Sequence, residues 1–301
     1  MPDTSIIRWR EFVLLACLAL LWGSSYLFIS IGVREIPPIT LIAIRVGVAA
    51  IFLLSVIAWQ GAHLPRDVGT WRLLFVQSLL NSTGAWLLLA WGQQHIDSGL
   101  ASVLNSTTPL FVFLITALVT RHETTGRLRL LGAAIGFAGV ILIVGPDVLL
   151  GLGQQVAGQL AALTGALLYG IAAIFGQRFS HLPATVTATG TIMCAAVCLI
   201  PASLIIDKPW QLTPSLQAWL AAIVLGIART GFAFLLYFRL LRTLGSLGVA
   251  SQAYLRAGVG VALGLFVLGE QITLVVGFGL AAALVGVALI NLPSGKSDIS
   301  R

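Results

Sequence analysis

Two arginines sit deep inside runs of otherwise apolar residues, and their chemistry is the first feature of this 301-residue chain. Counted from the start of their runs at 1.5 Å per residue, Arg229 lies about 18 Å deep and Arg256 about 13 Å deep. A guanidinium stays charged at any ordinary pH and presents a planar fork of donors that fits a carboxylate. No Asp or Glu lies deep in any of the runs, so neither arginine has an evident counter-ion in the sequence. Either exposed carbonyls and water hold them, as caps of a broken helix or as groups that set a cavity's potential, or an anionic ligand completes them. Arg45 lies about 9 Å from the end of its run, within reach of an interface by snorkelling or of loop carbonyls. A structural role is favoured for it.

Uncharged polar residues cluster at similar depth. Asn81 shares a helix face with Gln77, and Gln252 shares one with Arg256. Ser98, Ser102, Asn105 and Pro109 follow one another at spacings of 4, 3 and 4, which is one face of one helix, and Thr108 lies beside them. A Ser or Thr hydroxyl in such a helix is satisfied by its own backbone. Asn81, Asn105 and Gln252 are expected to face a polar cavity instead. Trp22 and Tyr26 stack at i, i+4, and Tyr169 and Tyr254 also lie mid-run. Each aromatic reads either as packing or as a ligand contact.

The elements that must position these groups follow from composition. The chain is 58% hydrophobic and 9% charged, with a mean hydropathy of +1.01. A water-soluble domain carries roughly 25% charged residues, so the solvent here is lipid. A spanning helix needs about 20 apolar residues. Ten runs qualify, at 12–31, 39–59, 71–91, 98–119, 128–144, 156–179, 184–206, 217–240, 247–268 and 274–291. The expected fold is an all-α membrane protein of ten transmembrane helices. Turn residues separate the runs at Pro37-Pro38, Gly61 to Pro65, Gly145-Pro146-Asp147, Pro183, Pro209 and Pro214. Trp59, Trp71, Trp91, Trp210 and Trp219 stand at run ends and suit an interfacial belt. Of the 17 Lys and Arg, twelve fall on one side of this topology, two on the other and three within runs. By the positive-inside rule both termini are cytoplasmic, and the first run is read as a retained helix rather than a cleaved signal.

The two halves repeat at a shift of 147 to 149. Leu21-Trp22-Gly23 matches Leu168-Tyr169-Gly170, Gly99-Leu100-Ala101-Ser102 matches Gly248-Val249-Ala250-Ser251, Glu123 matches Glu270, and Gly132, Gly139 and Val140 match Gly279, Gly286 and Val287. A shift of 148 sets Asn81 opposite Arg229 and Thr108 opposite Arg256. The expected units are residues 1–146 and 147–301, each of five helices. An odd number inverts the second unit, which places a binding site near the midplane between the halves and supports alternating access.

Leu21-Trp22-Gly23-Ser24-Ser25, Ile44-Arg45, Gly99 to Ser102 followed by Thr108-Pro109-Leu110-Phe111, Ala233-Phe234-Leu235-Leu236-Tyr237-Phe238, and Gly248 to Ser251 followed by Tyr254-Leu255 and Leu268-Gly269-Glu270 form an ordered set. With this set the sequence resembles the ten-helix EamA-type transporters of the drug/metabolite transporter superfamily, over about residues 10 to 292. The resemblance implies a central cavity lined by helices 1, 3, 4, 6, 8 and 9, helices 5 and 10 at the periphery, and export of amino acids and other small metabolites. The chain departs from the family in two places. Arg256-Ala257 replaces an apolar or acidic residue followed by proline, and Arg229 replaces a small residue.

Other functions find less support. The +7 charge forms no basic stripe, so no nucleic acid is expected as a partner. Cys17, Cys194 and Cys198 lie in apolar runs without His or carboxylate at ligand spacing, so neither a metal nor a cofactor is implied. His63, His95, His122 and His181 fall in or beside loops, and no nucleophile–base motif stands at membrane depth, which leaves an intramembrane enzyme as a remote alternative. A channel or scaffold is the other. The expected partners are a small-molecule substrate and the lipid bilayer of a bacterial inner membrane. Gly132-x3-Gly136 and Gly260-x3-Gly264 permit close helix contact, within the chain rather than across a dimer, so a monomer is favoured. Without a deep carboxylate, transport coupled to protons is not expected.

Overall fold

The computed structural model describes residues 4–96, 98–120, 127–144, 155–256, 259 and 274–292. Helices joined by short turns make up these residues, with no strand among them. Lipid offers the backbone no hydrogen bonds, so a chain this apolar must satisfy its amides within each segment, and helices do so. Among the described residues, six helical stretches are long and apolar enough to cross a membrane: Trp9–Gly32, Pro38–Gln60, Val68–Gly92, Val156–Phe179, Ala184–Ile206 and Leu216–Ala250. Shorter apolar helices cover Val103–Leu118 and Gly277–Asn291, and Arg127–Val144 forms a further helix. Their outer faces carry Leu20, Leu27, Ile51, Val197, Ile205 and Phe278, all exposed, as a lipid-facing surface requires.

Local chemistry sets the ends. Pro38 opens its helix at the first position, where a missing N–H costs nothing, and Gly61 closes it at φ 61. Asp67 accepts from the Thr70 N–H at 2.6 Å, capping the next helix. The long stretch Leu216–Ala250 is broken at Gly245, where φ 76 and ψ 179 take the chain out of helical geometry. That divides the eighth expected run from the ninth. The fourth run is also broken: one helix ends at Asn105, Ser106 and Thr107 form a turn, and Pro109 sits in the first turn of the next. The later part of the ninth run, Gly260-x3-Gly264, the side chains of Ser98 and Ser102, Glu123, Asp147 and Glu270 lie outside the described residues.

Packing pairs the halves. The helix Pro38–Gln60 lies along Ala184–Ile206, and Arg127–Val144 lies along Leu274–Asn291. In both pairs the partners hold equal places in the repeat. The second pair meets glycine to glycine. A Cβ on Gly286 would stand 2.5 Å from the Gly136 Cα and 2.6 Å from the Gly132 carbonyl oxygen, and one on Gly139 would stand 2.7 Å from the Gly279 carbonyl oxygen. These glycines therefore serve contact within the chain. At one face of the bundle, carboxylates of each half bind helix starts of the other. Glu35 accepts from the Ser215 N–H at 2.6 Å and hydroxyl at 2.8 Å. Asp207 accepts from the Thr40 N–H at 2.9 Å and hydroxyl at 2.7 Å.

Candidate functional site

Between the halves lies a cavity of about 30 Å³. Trp22, Ser25, Tyr26 and Ile29 come to it from the first stretch, Arg45 from the second, and Trp86 and Leu89 from the third, with Gln93 just past its end; Asn105, Tyr169 and Arg256 complete the wall. A second cavity of about 20 Å³ adjoins it, lined by Thr108, Ala173, Tyr237, Val249, Ala250 and Gln252. Trp22, Tyr169 and Arg256 line both, so they form the partition between the two. Each cavity has room for roughly one or two water molecules, so this conformation is a constricted one.

The positive charge of the site is held in a specific way. Arg45 is 3% exposed and Arg256 is 9% exposed. Arg45 donates from Nε to the Thr230 hydroxyl at 2.6 Å, and its guanidinium carbon lies 3.7 Å from the centre of the Trp86 ring. Arg256 donates from Nε to Gln252 Oε1 at 2.7 Å, and its guanidinium carbon lies 5.0 Å from the Trp22 ring. Each charge thus rests on an indole face and is bonded through one nitrogen to a neutral oxygen. Neither has a carboxylate partner among the described residues; the ion pair found there joins Arg239 to Glu11 at 3.7 Å, at the end of the bundle. Asn105 donates to the Tyr26 hydroxyl at 2.6 Å, and Thr108 donates to the Asn105 carbonyl at 2.8 Å.

Of the residues singled out in the sequence, Trp22, Tyr26, Asn105, Thr108, Tyr169, Gln252 and Arg256 are brought together at these cavities. Asn81, Arg229 and Tyr254 lie outside both linings. Tyr254 is fully buried, packs its ring against Gly136 and donates its hydroxyl to the Ala133 carbonyl at 2.8 Å. Arg229 turns its guanidinium over Phe28 at 5.3 Å. What it gives the site is its backbone: its carbonyl accepts from the Trp22 Nε1–H at 3.0 Å. Asn81 is 1% exposed, and neither atom of its amide has a hydrogen-bond partner among the described residues.

Asn81 and Arg229 share an unusual backbone. Leu79–Gly84 and Ile227–Phe232 are π-helical, and the two segments are offset by 148 residues, the shift of the repeat. A π segment widens the turn, is rare, and collects at functional sites. Depth along the runs pointed to Asn81 and Arg229, but depth does not tell which way a side chain faces. Ser25, Trp86 and Gln93 line the cavity without having been candidates, and Arg45, for which a structural role was favoured, lines it too. Arg45 was expected to bond loop carbonyls or to snorkel. It turns inward because Thr230, from the π segment, offers it a buried acceptor. Its being the one charge within its run was the available signal.

The sequence pattern of the EamA-like transporter family matches residues 9–145 and again 156–292. The chain is 30% identical over 291 residues to the uncharacterized inner membrane transporter YedA of Escherichia coli strain K12, covering 95% of this chain and 93% of YedA. It is 28% identical over 257 residues to the uncharacterized transporter YoaV of Bacillus subtilis, covering 85% of this chain and 87% of YoaV. A solved crystal structure superposes with a TM-score of 0.77 over 94% of this chain and 97% of that one; at 19% identity it speaks for the fold alone. With the apolar helices, the central cavities and these relatives together, the chain is a multi-pass membrane transporter that belongs to the EamA-like transporter family.

Proposed function

We propose that the protein exports small metabolites bearing a carboxylate, amino acids among them, across a bacterial inner membrane by alternating access. The observation that carries this reading is the pair Arg45 and Arg256, two buried guanidiniums at one cavity with no described carboxylate to neutralise them. Charges held at membrane depth are costly and mark substrate pathways. The partition of Trp22, Tyr169 and Arg256 between two cavities supports a gate that opens to one side at a time. The fold that serves it has ten spans in two inverted halves, residues 1–146 and 147–301, with both termini cytoplasmic. Reporters fused after Asp147 and after Arg301 should then report opposite sides of the membrane; the same side for both sinks this topology.

Transport is uncoupled from protons in this scheme, because the described carboxylates Glu11, Glu35, Asp67 and Asp207 lie outside both cavity linings. Proteoliposomes should show saturable, competable flux of aspartate, with little change in its steady-state level when a pH gradient is imposed. Flux that fails to saturate indicates a pore. Accumulation against a gradient driven by protons overturns the uncoupled scheme. Arg256→Gln should raise the half-saturating concentration roughly 10- to 150-fold, the loss of one charge-assisted bond, and Arg256→Lys should restore only part of it, since an ammonium lacks the fork.

A further inference from the structure

Resting on the reading of the cavity as a carboxylate site, we infer that it selects substrates with two carboxylates over zwitterions with one. The cavity carries two permanent positive charges, Arg45 and Arg256. Each guanidinium already spends its Nε on a neutral oxygen, Thr230 Oγ1 at 2.6 Å and Gln252 Oε1 at 2.7 Å. No described residue accepts from the remaining nitrogens of either, and these nitrogens form the edge that binds a carboxylate in two-point fashion. A buried charge without a partner is strongly unfavourable. One carboxylate neutralises one of the pair and leaves the other; two neutralise both.

The site offers an ammonium little in return. Its described lining holds no Asp or Glu. The faces of Trp22 and Trp86, which would otherwise attract a cation, are taken by the arginines. The Tyr26 hydroxyl already accepts from Asn105. What remains is neutral amide and hydroxyl oxygen beside two like charges. An α-amino group therefore weakens binding here, and a second acid group strengthens it. The two guanidiniums are anchored on different walls, Arg45 on Trp86 of the third stretch and Arg256 on Trp22 of the first, which suits two separate carboxylates better than one doubly charged phosphate.

The test is calorimetric titration of the full-length protein in lipid nanodiscs with four probes: succinate, aspartate, asparagine and glycerol 3-phosphate. Succinate should bind most tightly and aspartate less so. Asparagine, which differs from aspartate in lacking the second carboxylate, should bind at least roughly tenfold more weakly than aspartate, the low end for a lost charge-assisted bond. In Arg45→Gln the gap between aspartate and asparagine should close, while Arg45→Lys, which keeps the charge, should retain part of it and guards against a merely unfolded variant. If asparagine matches aspartate in the wild type, the selection for two carboxylates is wrong while the carboxylate site stands. If glycerol 3-phosphate binds more tightly than succinate, the two arginines serve one oxyanion and the inference fails. If no probe binds, the inference and the carboxylate reading fail together.

Discussion

Two of the three described π-helical segments, Leu79–Gly84 and Ile227–Phe232, occupy the same place in the repeat and have been put to different use. The segment Ile227–Phe232 anchors the site: its Arg229 carbonyl takes the Trp22 indole N–H, and its Thr230 hydroxyl takes Arg45 Nε. The segment Leu79–Gly84 carries Asn81, Ser82 and Thr83, and their buried side-chain atoms have no hydrogen-bond partner among the described residues. A duplicated backbone feature thus became a fixed support in one half and stayed uncommitted in the other. Identical backbone opportunity does not dictate identical chemistry; the side chains that reach it from neighbouring helices decide.

That contrast can be broken by substitution, and the largest effect is expected at Thr230. Thr230→Val keeps the shape of the fully buried side chain but takes the acceptor from a buried charge. It should cost about 1.5–3 kcal/mol, the range for a hydrogen bond to a charged group, read by equilibrium unfolding in mixed micelles. Trp22→Phe removes the donor to the Arg229 carbonyl and should cost less, about 0.5–1.5 kcal/mol for a neutral bond. Asn81→Leu should be near neutral or stabilising by the same measurement, because a polar group without partners is replaced by an apolar one. A loss at Asn81 as large as that at Thr230 would erase the distinction between the two segments.

The smallest effect concerns the cross-half contact at Glu35. Its carboxylate is exposed, and the Ser215 backbone N–H, then the Ser215 hydroxyl, hold its pKa below the usual 4.5. The folded value is thus lower than the unfolded one. The contribution is present above about 4.5 and is lost as pH falls through the depressed value. Glu35→Gln should lower the thermal midpoint slightly at pH 7, and the gap to wild type should close in acid below that range. A gap that persists in acid would mean that the contact does not depend on charge.

Much of the helix pattern is legible in the sequence. Pro37-Pro38, Gly61 and Pro183 mark helix ends because their backbone preferences are intrinsic. The break between the eighth and ninth runs was expected within 241–246, and the positive φ of Gly245 fixes it to one residue. For the site, depth along the apolar runs led to Arg256, Gln252 and Asn105, and the repeat linked Trp22 with Tyr169. Depth ranked Arg229 above Arg45, yet Arg45 lines the cavity and Arg229 does not. A membrane helix is apolar all round, so it lacks the polar stripe that tells inside from outside in a soluble helix. Which face a guanidinium takes then depends on a partner such as Thr230, 185 residues away in sequence.

The arginines therefore offer the most direct test of the carboxylate site. Succinate affinity should be measured by calorimetry for wild type, Arg45→Gln, Arg256→Gln and Arg229→Gln, each shown to be folded by its thermal midpoint. Arg45→Gln and Arg256→Gln should each weaken binding roughly 10- to 150-fold, and Arg229→Gln, whose guanidinium lies over Phe28 outside both cavities, should leave it unchanged. Unchanged affinity in folded Arg45→Gln and Arg256→Gln, or a loss confined to Arg229→Gln, would contradict the assignment.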